Sequence, residues 1–185
     1  MSARSGVPND PGRRERIIQA ALELILDEGV AAASHRVVAA RAGVPLGSMT
    51  YHFSGLDEII TEAFRLLVSR LSGRYKDGLH SSKSLTEARE SIVEIICGDE
   101  FITPREMAGI FELYSYGRCS RDSAEIASSW MDISHSALTE HFTPASARAV
   151  DALIEGWTIH HHLGGVAPDR DLVRSAVTAV TSLND

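Results

Sequence analysis

The sequence predicts an all-α protein of about nine helices. Three observations lead there. Apolar residues recur at the i, i+3, i+4 spacing of a helix rather than alternating as in a strand. Candidate caps and Pro or Gly breakers punctuate the chain at helix-length intervals. No stretch combines strand alternation with flanking turn signals.

Residues 1–10 lack apolar periodicity and are expected to form a flexible arm. Asp10 and Pro11 read as the cap and first residue of a helix. Ile17, Ala20, Ala21, Leu24, Ile25 and Leu26 continue it at helical spacing, and Gly29 closes it. Ser34 caps a second, short helix reaching Ala42. Gly43 then supplies the positive φ of a tight turn, and Val44-Pro45 leads into a third short helix over 46–53. Ser54-Gly55 breaks the chain. From Leu56 a long amphipathic helix runs to about Leu79, with Ile60, Phe64, Leu67, Val68 and Leu71 on one side; Gly73 is a point where it can end early. Ser84 opens the fifth helix, and Glu87 completes a capping box with it. Thr103-Pro104, then Asp122 or Ser123, then Thr143-Pro144 open three more. Gly164-Gly165 stops the eighth, and Pro168-Asp169 leads into the ninth. The predicted division is an arm (1–10), a three-helix unit (11–55) and a larger helical unit (56–185) entered through the long fourth helix.

Hydrophobic residues make up 44% of the 185 and charged residues 23%, the profile of an ordinary globular protein. No apolar run approaches the ~18 residues of a membrane span. The N-terminal arginines are not followed by the apolar core of a secretory signal. The expectation is a cytoplasmic protein with no membrane partner. Cys97 and Cys119 lie far apart in helical stretches and are expected to be reduced core residues. The net charge of −7 is unevenly spread: residues 1–53 carry six Arg against five acids, and the remainder carries 12 basic against 20 acidic residues. A surface facing a polyanion fits the first of these better than the second.

Residues 34–53 are the most informative segment. Two short helices joined by a glycine turn form a helix-turn-helix, in which small Ala39, Ala42 and Val44 permit a close crossing. Val38 and Met49 point inward to hold the angle. Such a unit lays its second helix in the DNA major groove. That helix presents Leu46, Gly47, Ser48, Thr50, Tyr51 and His52. Gly47 lets backbone approach backbone, Ser48 and Thr50 suit bases or phosphate, and Tyr51 and His52 suit phosphate oxygens. Ser34, His35 and Arg36, at the start of the preceding helix, suit phosphate anchoring by side chain and helix N-terminus.

Here the sequence resembles the TetR family of regulators. The resemblance rests on Gly29-Val30, on AARAGVPLGSMTYHF (residues 39–53) with its Ala42-Gly43-Val44, Gly47-Ser48 and Tyr51-His52-Phe53, and on the following LDEIITEAF. It covers about residues 13–65. The family often carries a Lys just after the Phe, where it binds phosphate; here that stretch is Ser54-Gly55-Leu56-Asp57. Phosphate contact there falls to backbone amides or is absent, which shifts weight to Arg13, Arg14 and Arg36.

The resemblance implies a repressor that binds a palindromic double-stranded operator as a homodimer and releases it on binding a small-molecule effector. It places a ligand pocket among helices five to seven, with Met107, Phe111, Tyr114, Trp130 and His135 as candidate lining. It places a dimer seam on the last two helices, with Val150, Leu153, Ile154, Trp157, His161, Val173 and Val177 as candidates; intramolecular core is the competing role for about half of such residues. Consecutive His160, His161 and His162 project about 100° apart around a helix and cannot jointly chelate one ion, so no metal or other cofactor is expected. Near a dimer seam their protonation would make association pH-sensitive. No Gly-rich phosphate loop, GxSxG, HExxH or paired-Cys motif appears, so an enzyme is not expected. The alternative is a helical adaptor or enzyme with a non-functional DNA-binding head.

Overall fold

The computed structural model describes residues 10–98 and 101–182; the arm expected over 1–10 lies almost wholly outside them. The described residues are all-helical, without strands: α1 (Arg13–Glu28), α2 (His35–Ala42), α3 (Gly47–His52), α4 (Leu56–His80), α5 (Leu85–Cys97), α6 (Pro104–Tyr116), α7 (Arg121–Leu138), α8 (Pro144–Gly164) and α9 (Arg170–Thr181). A single 3-10 turn, Val30–Ala32, follows α1. The chain divides into two compact units, Met1–Leu66 and Leu67–Asp185, and the division falls inside α4.

In the first unit α1 packs on α2, and α2 on α3. Ile17, Ala21, Leu22, Leu24 and Ile25 of α1 are buried, as are Val38 and Met49, each at 0% exposure. Ser34 caps α2 by accepting the Val37 N–H at 3.3 Å. At the other end Gly43 adopts φ 64°, the left-handed conformation, and the Gly43 and Val44 N–H groups return to the carbonyls of Ala40 and Ala39. This closes the orphan carbonyls of α2 within the turn. The inward pair and the turn are therefore as expected.

The second unit is built around Tyr75, Leu79, Ile92, Ile96, Leu138, Phe142, Val150, Ile154, Val173 and Val177. Within it α5 packs on α8 and α9, α6 on α7, and α7 and α9 on α8. Polar straps tie α9 to α5: Arg170 reaches both carboxylate oxygens of Glu94 at 2.5 and 2.9 Å. Arg174 holds Glu90 at 2.7 and 3.2 Å, and Arg89 donates to the Thr181 hydroxyl at 2.7 Å. Arg174 and Arg170 hold the Glu90 and Glu94 carboxyls below their usual range.

Several boundaries differ from the sequence reading. α1 starts at Arg13, not Pro11: Asp10 turns its carboxylate onto the Gly12 N–H and the Arg16 guanidinium, leaving Pro11 in a turn capped by Gly12. α4 runs straight through Gly73. Ser84 does cap α5, but Glu87 takes the Lys83 N–H at 2.6 Å, one residue beyond the cap. The reciprocal box forms instead at α6, between Thr103 and Glu106. α7 begins at Arg121, because Ser120 rather than Asp122 or Ser123 accepts the capping N–H. Both cysteines are free, but Cys119 is exposed and only Cys97 is half-buried, so the core expectation does not hold for Cys119.

Two glycines separate conformation from space. A Cβ at Gly43 meets nothing within 4 Å, yet its backbone is left-handed; Gly47 is equally open but helical. Gly43→Ala should lower stability to urea by about 1–2 kcal/mol, whereas Gly47→Ala should raise it by up to about 1 kcal/mol. Equal effects would show that the turn does not depend on positive φ.

Candidate DNA-binding surface and ligand-unit residues

α3 exposes one face and buries the other. Leu46 and Tyr51 stand 51% and 80% exposed, while Met49 is fully enclosed and Ser48 is 8% exposed. Gly47 and Thr50 are exposed and His52 half-buried. The Thr50 hydroxyl donates back to the Gly47 carbonyl at 3.3 Å. The Tyr51 and His52 rings meet edge-on with centroids 4.9 Å apart. On α2, Arg36 and Val37 are exposed and His35 is half-buried. The structure thus brings Leu46, Gly47, Thr50 and Tyr51 to the surface. It turns Ser48 inward, and it engages the Ser34 hydroxyl as a helix cap. Val37, 41% exposed beside Arg36, was not among the expected contacts; an apolar residue in a short amphipathic helix reads as core until its neighbours are known.

Arg14 is committed within its own unit. Its guanidinium lies 3.8 Å from Glu58 and 3.3 Å from Glu62 and stacks over the Phe53 ring at 5.1 Å. Arg41 is likewise paired with Asp27 and Glu28. Ahead of α4, Ser54 donates both its backbone N–H and its hydroxyl to Glu58 Oε2, at 2.7 and 2.8 Å. Where a phosphate-binding Lys was missed from the sequence, an internal carboxylate holds the local amide. The Ser54-to-Glu58 spacing was the available signal.

In the second unit Met107 is buried, and Phe111, Tyr114, Trp130 and His135 are half-buried. Trp130 lies beside the Tyr114 hydroxyl. That hydroxyl donates to Glu155 Oε1 at 3.2 Å. Burial, and then the nearby Asp151 charge, push the Glu155 carboxyl above its usual range, against the pull of the Tyr114 hydrogen bond. Two recesses open elsewhere in this unit. A groove of about 1020 Å³ is lined by Arg74, Asp77, Glu90, Glu94 and Phe101 among others. A cavity of about 230 Å³ is lined by Cys97, Thr158, His161 and His162. Neither is lined by the five candidate ligand residues.

Of the expected seam residues, Val150, Val173 and Val177 are fully buried by their own chain and Ile154 is 6% exposed. They pack in the core of the unit and have no surface left for a partner. Leu153, Trp157 and His161 are half-buried. Leu163, Val166 and Leu172 stand 72%, 75% and 58% exposed instead. His161 Nδ1 is buried without a hydrogen-bond partner among the described residues, and His162 Nδ1 lies 2.8 Å from the Thr158 carbonyl. Among the described residues no group of three or more His, Cys, Asp or Glu side chains could hold a metal ion. No helix among them is long and apolar enough to cross a membrane.

A short helix held by a left-handed turn, with one face enclosed and the other presented, defines a helix-turn-helix DNA-binding protein. Residues 17–63 match the family model for bacterial regulatory proteins, tetR family. A transcriptional regulator of Streptomyces coelicolor A3(2), SCO7518, is 39% identical with a TM-score of 0.84, covering 93% of this chain and 99% of its own. The HTH-type transcriptional regulator PksA of Bacillus subtilis is 25% identical over 89% of this chain and 86% of its own length. The multidrug binding protein EbrR, in complex with ethidium, is 27% identical with a TM-score of 0.75, covering 92% of this chain and 99% of its own. The chain belongs to the TetR family of DNA-binding transcriptional regulators.

The Glu58 network has a pH signature. Hydrogen bonds from the Ser54 backbone and hydroxyl, joined by Arg14, hold the Glu58 carboxyl below its usual range. The unfolded chain then binds the proton more tightly. The contribution is present above the unfolded pKa of about 4.3 and is lost as pH falls through the folded value. Glu58→Gln should therefore melt below the native protein at pH 7, and the gap should close toward pH 3. A gap independent of pH would show that the carboxylate is not the stabilising form.

Proposed function

We propose that this regulator is a repressor that binds a palindromic operator as a homodimer and releases it when a small molecule occupies the second unit. The presented face of α3 is the observation that carries the reading. Leu46, Gly47, Thr50 and Tyr51 are free to meet base edges and sugars, with His52 at the rim. Arg36, exposed on α2, and the N-terminus of that helix would take phosphate. Arg14 would act by bracing Phe53 and the start of α4 rather than by reaching DNA.

Two recognition helices would have to lie about 34–36 Å apart, one turn of duplex, which requires a defined dimer. With the inward valines of α8 and α9 used up in the core, the partner-facing surface would be Leu163, Val166 and Leu172 with the outer edges of Leu153 and Trp157. Large exposed apolar residues of this kind mark association surfaces. Effector control would run through α4, the element that carries residues of both units. Ligand and DNA would then weaken each other's binding by the same factor. EbrR, in complex with ethidium, supports small-molecule binding by a relative of this fold.

A gel shift on the DNA upstream of its own gene tests the reading. The expected result is a specific shift that weakens steeply with salt. Tyr51→Ala should cost about tenfold or more in affinity. The absence of a shift with any genomic fragment would favour an adaptor with a non-functional head. Separately, Leu163→Glu with Leu172→Glu should convert a dimer to a monomer by light scattering and abolish the shift. A native monomer would overturn the dimer.

A further inference from the structure

Charge pairing in the second unit is uneven. Beside the large groove Glu90 is answered by Arg174 and Glu94 by Arg170, while the half-buried Glu106 is answered by Arg74; Asp77 and Glu87, which also line the groove, are exposed to solvent. Asp151 and Glu155, one turn apart on α8 and half-buried, have no cation within ion-pair distance among the described residues. They are met only by neutral hydroxyls. Tyr114 donates to Glu155 at 3.2 Å. Ser134 Oγ lies 2.5 Å from Asp151 Oδ1 and 3.1 Å from the Tyr75 hydroxyl.

Aromatic rings complete the surround. The Trp130 ring stands edge-on to Tyr75 with centroids 6.3 Å apart. Phe101 lies tilted against Tyr75 with centroids 5.7 Å apart. One turn before Tyr75 on the same face of α4, Ser72 is 7% exposed, and its Oγ has no hydrogen-bond partner among the described residues. A patch of this composition opposes its own folding. Two carboxylates are partly removed from water without a counter-charge, and ring faces add negative potential rather than relieving it. Stability alone would favour a Gln or a Lys here. A visiting cation reverses each of these costs, because the carboxylates supply charge and the ring faces supply cation–π attraction.

We propose that Glu155 and Asp151, with Tyr114, Trp130 and Tyr75, form a binding site for an organic cation bearing an aromatic or alkyl body, and that such cations are the effector class. This rests on the ligand-responsive reading above and narrows it. Inorganic anions, carboxylates and acyl phosphates are excluded as effectors at this site by like charge. A small metal ion is disfavoured because only two carboxylates meet here, and among the described residues no group of three or more His, Cys, Asp or Glu side chains could hold one.

The test compares two probes of similar size on the full-length protein by titration calorimetry: benzyltrimethylammonium and neutral N,N-dimethylbenzamide. The cation should bind at least about tenfold more tightly. Glu155→Gln should erase that preference while leaving amide binding in place, and Tyr114→Phe, which keeps the ring and the charge, should retain it. Asp151→Asn gives a second reading should Glu155→Gln fail to melt cooperatively. Equal affinity for the two probes, failure of the cation to bind, or a preference that survives Glu155→Gln overturns the site. In the gel shift, benzyltrimethylammonium should release the native protein from DNA. Glu155-dependent binding without release keeps the cation site and overturns only its role as effector site. A shift released by other small molecules, with no cation binding, keeps the regulator and overturns this inference.

Discussion

Met49 and Val38 are buried to completion on either side of a turn that only a residue tolerating positive φ can make without strain. The remainder of the DNA-binding unit follows from that pairing. α3 has only six residues, too few to be stable alone. Its tilt and rotation come from the inward side chain at Met49 and from the left-handed Gly43, which returns its carbonyl bonds to α2. Once the inner face is set, Leu46, Gly47, Thr50 and Tyr51 have nowhere to point but outward. The presented face is thus a by-product of packing: it is what the core leaves over.

In the second unit the same packing separates acids paired with arginine from acids that meet only hydroxyls among the described residues. Arg170 and Arg174 grip Glu94 and Glu90 in paired hydrogen bonds across α5 and α9. Such exposed pairs contribute modestly each, but together they set the register of two helices whose valines form the core. Among the described residues Asp151 and Glu155 receive no such answer and meet the Ser134 and Tyr114 hydroxyls instead. The contrast between acids that tie helices together and acids that do not is one that residue type alone does not show.

Helix existence and most caps were legible from local chemistry. Ser34, Ser84, Thr103, Thr143 and Asp169 cap where the sequence placed them, because a hydroxyl or carboxylate ahead of an apolar periodic run has few better partners than the free amides of the next turn. The start of α1 is displaced because Arg16 draws Asp10 away from the capping position, and that of α7 because Ser120 takes the capping N–H ahead of Asp122 and Ser123. The candidate site was legible in part. Tyr51 and Leu46 could be assigned outward and Met49 inward from spacing on a short helix. The burial of Ser48 and the commitment of Arg14 to Glu58, Glu62 and Phe53 involve residues from other elements, which no local pattern encodes.

By itself the sequence determined the helical class, the helix-turn-helix with its glycine turn, and the family, because each depends on interactions within about a dozen neighbouring residues. Tertiary structure decided which valines of α8 and α9 are core and which apolar residues, Leu163, Val166 and Leu172, remain outside. It also decided which carboxylates meet an arginine and which meet only tyrosine and serine. Amphipathic periodicity shows that a helix has an inner face but not what lies against it. That identity is fixed only when distant helices close on one another.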